Sequence, residues 1–271
     1  MGVDSREQDH EQADLRTLRE VLAMVDPWLR RSGPDDCKVN GGSPLAGDDA
    51  KTDPFQVSHA VISSISVAVD HAHALRRLTA GCETCAPDEM TFLLNSYYSL
   101  LRGGLENAAR AIWLLESNTR PERVTRRLQL QADNIANSDT ASRLFGTSMP
   151  RPKTVREQRL KEIALRAGVD PAAALKRPTN KAVVEAAGRF VGGPAGVDHV
   201  HGLWRICSGA AHGDTWAGLS LNEREIIEQE DGVVLAKLTA GIHVLAVLTK
   251  ETFTLIDAAH RLFDLRNRPP H

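Results

Sequence analysis

The sequence predicts an all-α fold, a helical bundle with peripheral helices and one small β-hairpin. Apolar residues recur every three or four positions through most of the chain, which is the spacing that places them on one face of a helix. Aromatic residues make up only 4% of the 271 residues, while Ala, Leu, Arg and Val are abundant. Small and aliphatic side chains favour close crossings between helices.

The length and the net charge of the chain limit which classes of protein the sequence can encode. With 271 residues, of which 42% are hydrophobic, the chain can bury a full core. A net charge of -2 excludes a strongly basic protein that coats nucleic acid, although the 33 Lys and Arg residues leave room for a local basic patch. The first residues lack the apolar stretch of a secretory signal, and no apolar run approaches the roughly 20 residues of a membrane-spanning helix. We therefore expect a cytoplasmic protein without a membrane partner.

The N-terminal part is predicted to hold little regular structure apart from one helix. Residues 1–11 are expected to form a disordered tail, and residues 12–53 a helix followed by a flexible loop. An apolar series from Leu15 to Leu29 has helical spacing. Between residues 32 and 54 the sequence collects Gly, Pro, Asp and Ser without periodicity, which is typical of a loop.

The bundle is predicted from two separate parts of the chain, residues 54–149 and 197–268. The predicted bundle helices lie near residues 55–79, 88–117, 120–137, 197–212 and 239–266. In the second of these, Gly103 and Gly104 either kink the helix or allow a neighbouring helix to come close. Asp231-Gly232, between two apolar runs, predicts the turn of a small hairpin.

Residues 150–196 are predicted to form a peripheral lid or excursion, because prolines at 150, 152 and 178 divide the segment into short pieces. Together with the N-terminal helix, this segment is expected to pack outside the bundle.

A polar stripe is predicted on the helix near residues 197–212. His201, Arg205, Ser208 and His212 are separated by four, three and four residues, and these steps return to nearly the same face of an α-helix. Two imidazoles, a guanidinium and a hydroxyl therefore share one surface. The stripe is the leading candidate for a functional site.

A second set of charges lies on the helix near residues 88–117. Arg102, Glu106 and Arg110 occupy successive i+4 positions among apolar residues, so at least one of them should lie at a helix interface and need a partner. Glu106 is a candidate to orient Arg205 or His212, and Arg102 to meet a phosphate. The alternative is a charge ladder within one helix, worth about 0.2 to 0.5 kcal/mol per pair.

The Arg205/His212 pair, with the segments 101–109 and 205–213, resembles the HEPN superfamily (higher eukaryotes and prokaryotes nucleotide-binding) and a bacterial helical family related to it. The likeness covers roughly the two central helices and the order of the rest. It implies a homodimeric, metal-independent ribonuclease of a stress or defence system that needs no cofactor. His212 would exchange a proton with the 2′-hydroxyl or the leaving oxygen, and Arg205 would stabilise charge on the phosphate. Ser208 is a further catalytic candidate.

One position departs from that pattern, because many active HEPN ribonucleases carry a polar residue directly after the motif Arg, where this chain has Ile206. The alternative function is a non-catalytic helical module that binds a small molecule, a nucleotide or a protein partner. It would bind through Arg102, Glu106, Ser208 and His212, and His201 and Arg110 are further candidate binding residues. In a purely structural interpretation, Ser208 and His212 bond backbone carbonyls at a helix end, and Arg205 pairs with a carboxylate.

A zinc site is a weaker alternative. His71 and His73, followed by Cys82 and Cys85, supply ligands that zinc accepts. Two residues two apart on a helix, however, point about 200° away from each other. We therefore predict no metal site, and interpret these residues as helix-end histidines and reduced thiols.

Overall fold

The computed structural model describes residues 5–31, 33, 35–80 and 89–270. Within those ranges the chain is an all-α helical bundle with one small antiparallel hairpin, which confirms the predicted fold class. The elements are α1 (Ser5–Ala23), α2 (Val25–Arg30), α3 (Pro44–Thr52), α4 (Val57–Thr79), α5 (Leu94–Leu115), α6 (Arg120–Leu144), α7 (Lys153–Ala167), α8 (Pro171–Ala174), α9 (Asn180–His212), α10 (Thr215–Leu221), β1 (Asn222–Glu230), β2 (Val233–Ala240) and α11 (Ile242–Arg266). Among these helices, none combines the length and apolarity needed to cross a membrane.

Helix α5 lies at the centre of the main core. It packs against α4, α9 and α11, and buried apolar side chains cover most of its circumference. A helix with so broad an apolar face is stable only against such a core, and its remaining stripe carries the polar residues Arg102 and Glu106. The α5–α9 contact is the one that positions the candidate site.

Gly103 and Gly104 allow close helix packing, since α5 continues unbroken through both residues. A β-carbon on Gly103 would collide with the imidazole of His71 on α4, and one on Gly104 would lie 3.4 Å from Cγ2 of Thr252 on α11. Of the two predicted roles for these glycines, close approach is therefore the one that the structure shows.

The N-terminal helix is part of the main core, so its predicted position outside the bundle is wrong. Helix α1 packs along α11, and its Leu18 and Leu22 are buried. The helix begins at Ser5, so the described part of the predicted tail, from residue 5 onward, is helical. The apolar face of α1 thus packs on α11, near the other end of the described chain, and periodicity alone does not identify that partner.

Helix α3 lies within the segment predicted to be a loop, which corrects that prediction. Ser43 caps the helix, its hydroxyl accepting a hydrogen bond from the amide of Ala46 at 3.1 Å. Asp48 is fully buried and binds both Arg123 Nε (2.6 Å) and Nη2 (2.9 Å) on α6. Arg120 Nε adds a third contact at 3.1 Å. This buried ion pair joins α3 to α6.

Helices α6, α7 and α8 build a second, smaller core. Its buried members are Val124, Leu128, Ala132, Ile135, Leu160, Ile163, Ala164 and Ala174. Helix α6, predicted as a helix of the main bundle, thus packs mainly on α7, α3 and α8 instead. The sequence shows that α6 is amphipathic, but not which neighbour its apolar face meets.

Helix α9 consists of two limbs, residues 180–192 and 194–212, that fold back on each other. The break is Gly193, whose φ of 60° and ψ of -149° are not helical. Gly188 and Gly196 meet backbone to backbone where the limbs cross. The first limb buries Val183 and Ala187 in the main core, so residues 180–192 are not part of a peripheral excursion.

A Gly196→Ala substitution tests this crossing. Its new β-carbon would meet the backbone of Gly188, which cannot move aside as a side chain can. We expect a loss of about 1–3 kcal/mol in the free energy of unfolding, measured in urea. Gly202→Ala in the same limb is the matched control, because nothing lies within 4 Å of its new β-carbon. It should stabilise the helix by about 0.5–1 kcal/mol, and an equal loss in both variants would contradict the described crossing.

The predicted hairpin is confirmed. Asp231 and Gly232 form its two-residue turn with φ values of 47° and 79°, and a register shift lies between Ile226 and Glu228. Strand β2 continues to Ala240, so the last helix begins at Ile242 rather than near residue 239.

Candidate functional site

The four residues of the predicted stripe all lie in the second limb of α9, which is helical over that whole stretch. Arg205 and His212 are exposed, and His201 and Ser208 are half-buried. The buried face of the same limb carries Leu203 and Cys207 against the core. The stripe therefore lies on the outer side of the limb.

A hydrogen-bonded polar cluster joins α5 to this limb. Arg102 Nη1 lies 2.9 Å from His212 Nε2, and Arg102 Nε donates to Glu106 Oε1 at 2.9 Å. The same carboxylate oxygen accepts a hydrogen bond from the indole Nε1 of Trp204 at 2.7 Å. We call Arg102, Glu106, Trp204 and His212 the Arg102 cluster.

The contacts of Glu106 differ from those predicted. Glu106 hydrogen bonds to Arg102 and Trp204, and Arg102 is the residue that contacts His212. A carboxylate that binds two donors holds both of them in place. Glu106 thus acts on His212 through Arg102.

The Arg102 contact occupies one ring nitrogen of His212. A guanidinium has only N–H donors, so His212 Nε2 must accept this hydrogen bond with its lone pair. The contact therefore orients the imidazole of His212 and places its Nε2 against Arg102.

Arg205 forms no hydrogen bond or ion pair with any residue that the structure describes. It precedes His212 by seven residues, which puts the two Cα atoms about 10 Å apart along the helix. Ser208, between them, also makes no hydrogen bond within the described ranges. A purely structural role would require a carboxylate partner for Arg205 and a carbonyl partner for Ser208. The described residues supply neither of them.

The remaining predicted binding residues lie at or beyond the edge of the cluster. His201 Nδ1 is 3.8 Å from Glu185 Oε1 on the first limb of α9, and its ring stacks on Trp204 with centroids 5.8 Å apart. Arg110 donates to Asn107 at 3.3 Å on its own helix. The structure therefore links His201 to the cluster through Trp204, but does not link Arg110.

Two ionisable groups lie beneath the cluster in the core. Burial raises the pKa of the Cys207 thiol to about 12, although the charge of Arg102 acts in the opposite direction. Burial likewise raises the pKa of Tyr98 to about 12, and the Cys207 sulfur adds to that shift. Both groups are therefore protonated at neutral pH and place no negative charge beneath the cluster.

The zinc alternative falls partly on residues that the structure does not describe, because Cys82 and Cys85 lie outside the described ranges. His71 and His73 both lie on α4, and the ring of His71 packs against Gly103. Among the described residues, no group of three or more His, Cys, Asp or Glu side chains is arranged to hold a metal ion.

Trp204 was not among the predicted site residues. A partly buried tryptophan usually needs an acceptor for its indole N–H, and this need is the only hint that the sequence gives. The acceptor is Glu106, 98 residues earlier in the chain.

The fold and the site together define an all-α bundle with an exposed Arg–His contact between two core helices. Comparison with family models, curated proteins and solved structures finds no match to this chain.

Proposed function

We propose that this protein is a HEPN-like, metal-independent ribonuclease of a stress or defence system. The observation that carries the proposal is the 2.9 Å contact of Arg102 Nη1 with Nε2 of His212, an imidazole exposed at a helix end. A base beside a guanidinium is the pair that RNA cleavage through the 2′-hydroxyl needs.

The proposed reaction is an attack of the ribose O2′ on the adjacent phosphorus. The O2′–P bond forms while the P–O5′ bond breaks, which leaves a cyclic phosphate and a 5′-hydroxyl. His212 Nε2 takes the proton of the 2′-hydroxyl, and water supplies the proton that O5′ gains. A histidine suits this step because its ordinary pKa lies near neutrality.

The two arginines have different roles in this proposal. When a substrate phosphate binds the Nη1 donor of Arg102, the Nε2 lone pair of His212 becomes free to accept a proton. Arg102 thereby couples phosphate binding to activation of the base. Arg205, about 10 Å from His212 along the helix, binds a neighbouring phosphate of the strand rather than the one that reacts. Its lack of a partner among the described residues leaves its donors available.

The direct test incubates the purified protein with a generic single-stranded RNA in the presence of EDTA. Cleavage that is independent of added metal is the expected result. RNA that stays intact at high protein concentration would overturn the proposal.

A second candidate is a non-catalytic module that binds a nucleotide, a small molecule or a protein partner through the same cluster. The observation in its favour is that Glu106 already pairs with Arg102, which restrains the guanidinium against His212. In that case RNA or a nucleotide would bind and remain intact, and His212→Ala would change affinity alone.

We further propose a homodimer, and the hairpin supports this. Beyond Asn222 every residue of β1 is exposed, and most of β2 is exposed as well. Ile226 and Val233 keep 63% and 70% of their surface accessible. An isolated two-stranded ribbon is marginally stable in water, so its apolar side chains need cover, which a second copy of the chain can supply.

Charged substitutions in the hairpin test the dimer. Ile226→Lys combined with Val233→Lys should convert the dimer into a monomer, because lysines do not bury at an apolar interface. Light scattering after gel filtration measures the mass. Leu144→Lys is the control, since Leu144 is 74% exposed but lies at the end of α6, outside the hairpin. A monomeric wild type, or a double variant that stays dimeric, would contradict this proposal.

A further inference from the structure

A large cavity lies away from the Arg102 cluster. It is formed by α6, α7, the connection between these two helices and the segment between α3 and α4, and none of its lining residues belongs to α5 or α9. Its volume of about 1110 Å³ is slightly above the usual range of small-molecule sites, about 300–1,000 Å³. The cavity therefore has the size for an organic ligand of several hundred daltons.

The charged lining of this cavity is predominantly basic. Its charged residues are Arg151, Arg156, Arg159, Arg166, Asp53 and Glu162. Arg151 and Arg159 are exposed and have no hydrogen bond or ion pair within the described part of the chain. Two guanidinium groups without a carboxylate partner at one opening favour an anionic ligand.

The other two arginines have partners, which fixes their positions. Arg156 donates to Ser138 Oγ at 2.9 Å and pairs with Asp139 at 3.3 Å. Arg166 Nη2 donates to the backbone carbonyl of Asp53 at 2.9 Å, which leaves its positive charge without a carboxylate in that contact. The cavity thus retains positive charge even where its arginines are bonded.

Part of the lining is apolar. Phe55, Met149, Val155 and Ile163 line the cavity, and the guanidinium of Arg127 lies 5.8 Å from the ring centroid of Phe55. The amide side chains of Gln131, Asn134 and Gln158 supply further hydrogen-bonding groups. Apolar surface beside arginines suits a ligand with both a ring system and an anionic group.

We propose that the α6–α7 cavity binds a phosphorylated small molecule with a planar ring, the chemical class of a nucleotide. Arg151 and Arg159 bind the phosphate groups, and the apolar wall around Phe55 and Ile163 receives the ring. This site is separate from the Arg102 cluster and independent of RNA cleavage there.

Titration of the full-length protein with the fluorescent nucleotide trinitrophenyl-ATP tests the site. We expect saturable binding that inorganic pyrophosphate weakens by competition. Arg151→Ala and Arg159→Ala should each raise the dissociation constant about tenfold, the effect of losing one charge-assisted contact. Both side chains are exposed, and circular dichroism checks that the variants fold.

The matched control is Arg143→Ala, since Arg143 is exposed on α6 but does not line the cavity. Its affinity should equal that of the wild type, and His212→Ala should also leave probe binding unchanged. Absence of saturable binding, equal weakening by Arg143→Ala, or loss of binding in His212→Ala would each overturn the proposal. Displacement of the probe by single-stranded RNA but not by pyrophosphate would also overturn it, because the occupant would then be a nucleic acid strand.

Discussion

His212→Ala is expected to reduce the rate of RNA cleavage in EDTA by a factor of about 10²–10⁴, the usual contribution of general acid–base catalysis. The variant removes the imidazole whose Nε2 contacts Arg102 and would accept the proton. Gel analysis of a labelled RNA measures the rate. Because His212 is exposed, its truncation should leave the folded structure intact.

Two further variants separate catalysis from general effects of mutation. His59→Ala is the matched histidine control, because His59 is exposed on α4 and has no hydrogen bond within the described residues. It should cleave RNA at the wild-type rate. Arg102→Lys keeps the charge but loses the contact with both Glu106 and His212, so we expect an intermediate rate. Full activity in His212→Ala would contradict the assigned role.

Asp48→Ala is expected to lower the free energy of unfolding by about 3–5 kcal/mol, because it leaves the charge of Arg123 buried without its partner. Asp48 is completely buried and Arg123 is only 3% exposed. The pair is the main polar link between α3 and α6. The midpoint of urea unfolding measures the effect, and the α6–α8 unit should unfold first.

Arg120→Ala is the graded control for this ion pair. Arg120 also contacts Asp48, but its side chain is 47% exposed, so its loss should cost less than about 1 kcal/mol. Replacing Asp48 and Arg123 together by Leu and Met should recover much of the stability, since no charge then remains buried. A loss for Asp48→Ala as small as that for Arg120→Ala would show that the pair does not hold α3 on α6.

The predictable parts of the fold are those that depend on local pattern. Periodic apolar residues identified α4, α5 and the second limb of α9, and Asp231-Gly232 identified the hairpin turn because it needs two positive φ angles. The helical spacing of His201, Arg205, Ser208 and His212 likewise follows from local geometry. These features need no knowledge of the partner helix.

The parts that were not predicted depend on distant partners. Helix α3 is not evident from its Gly- and Asp-rich sequence, because the partner that holds its Asp48 is Arg123, 75 residues later on α6. The second core and the packing of α1 on α11 depend on which amphipathic faces meet. In the site, Arg102 rather than Glu106 contacts His212, and that choice is made by the register between α5 and α9. Sequence spacing along one helix carries no information on such a register.

The most direct test of the proposed function is mass spectrometry of the ends of RNA fragments produced in EDTA. Attack by the 2′-hydroxyl with His212 as base predicts fragments that end in a cyclic 2′,3′-phosphate and begin with a 5′-hydroxyl. A strand of the same base sequence built from 2′-deoxyribose has no 2′-hydroxyl and should stay intact. Fragments with a 3′-hydroxyl and a 5′-phosphate, or cleavage of the deoxy strand, would contradict this account of the Arg102 cluster.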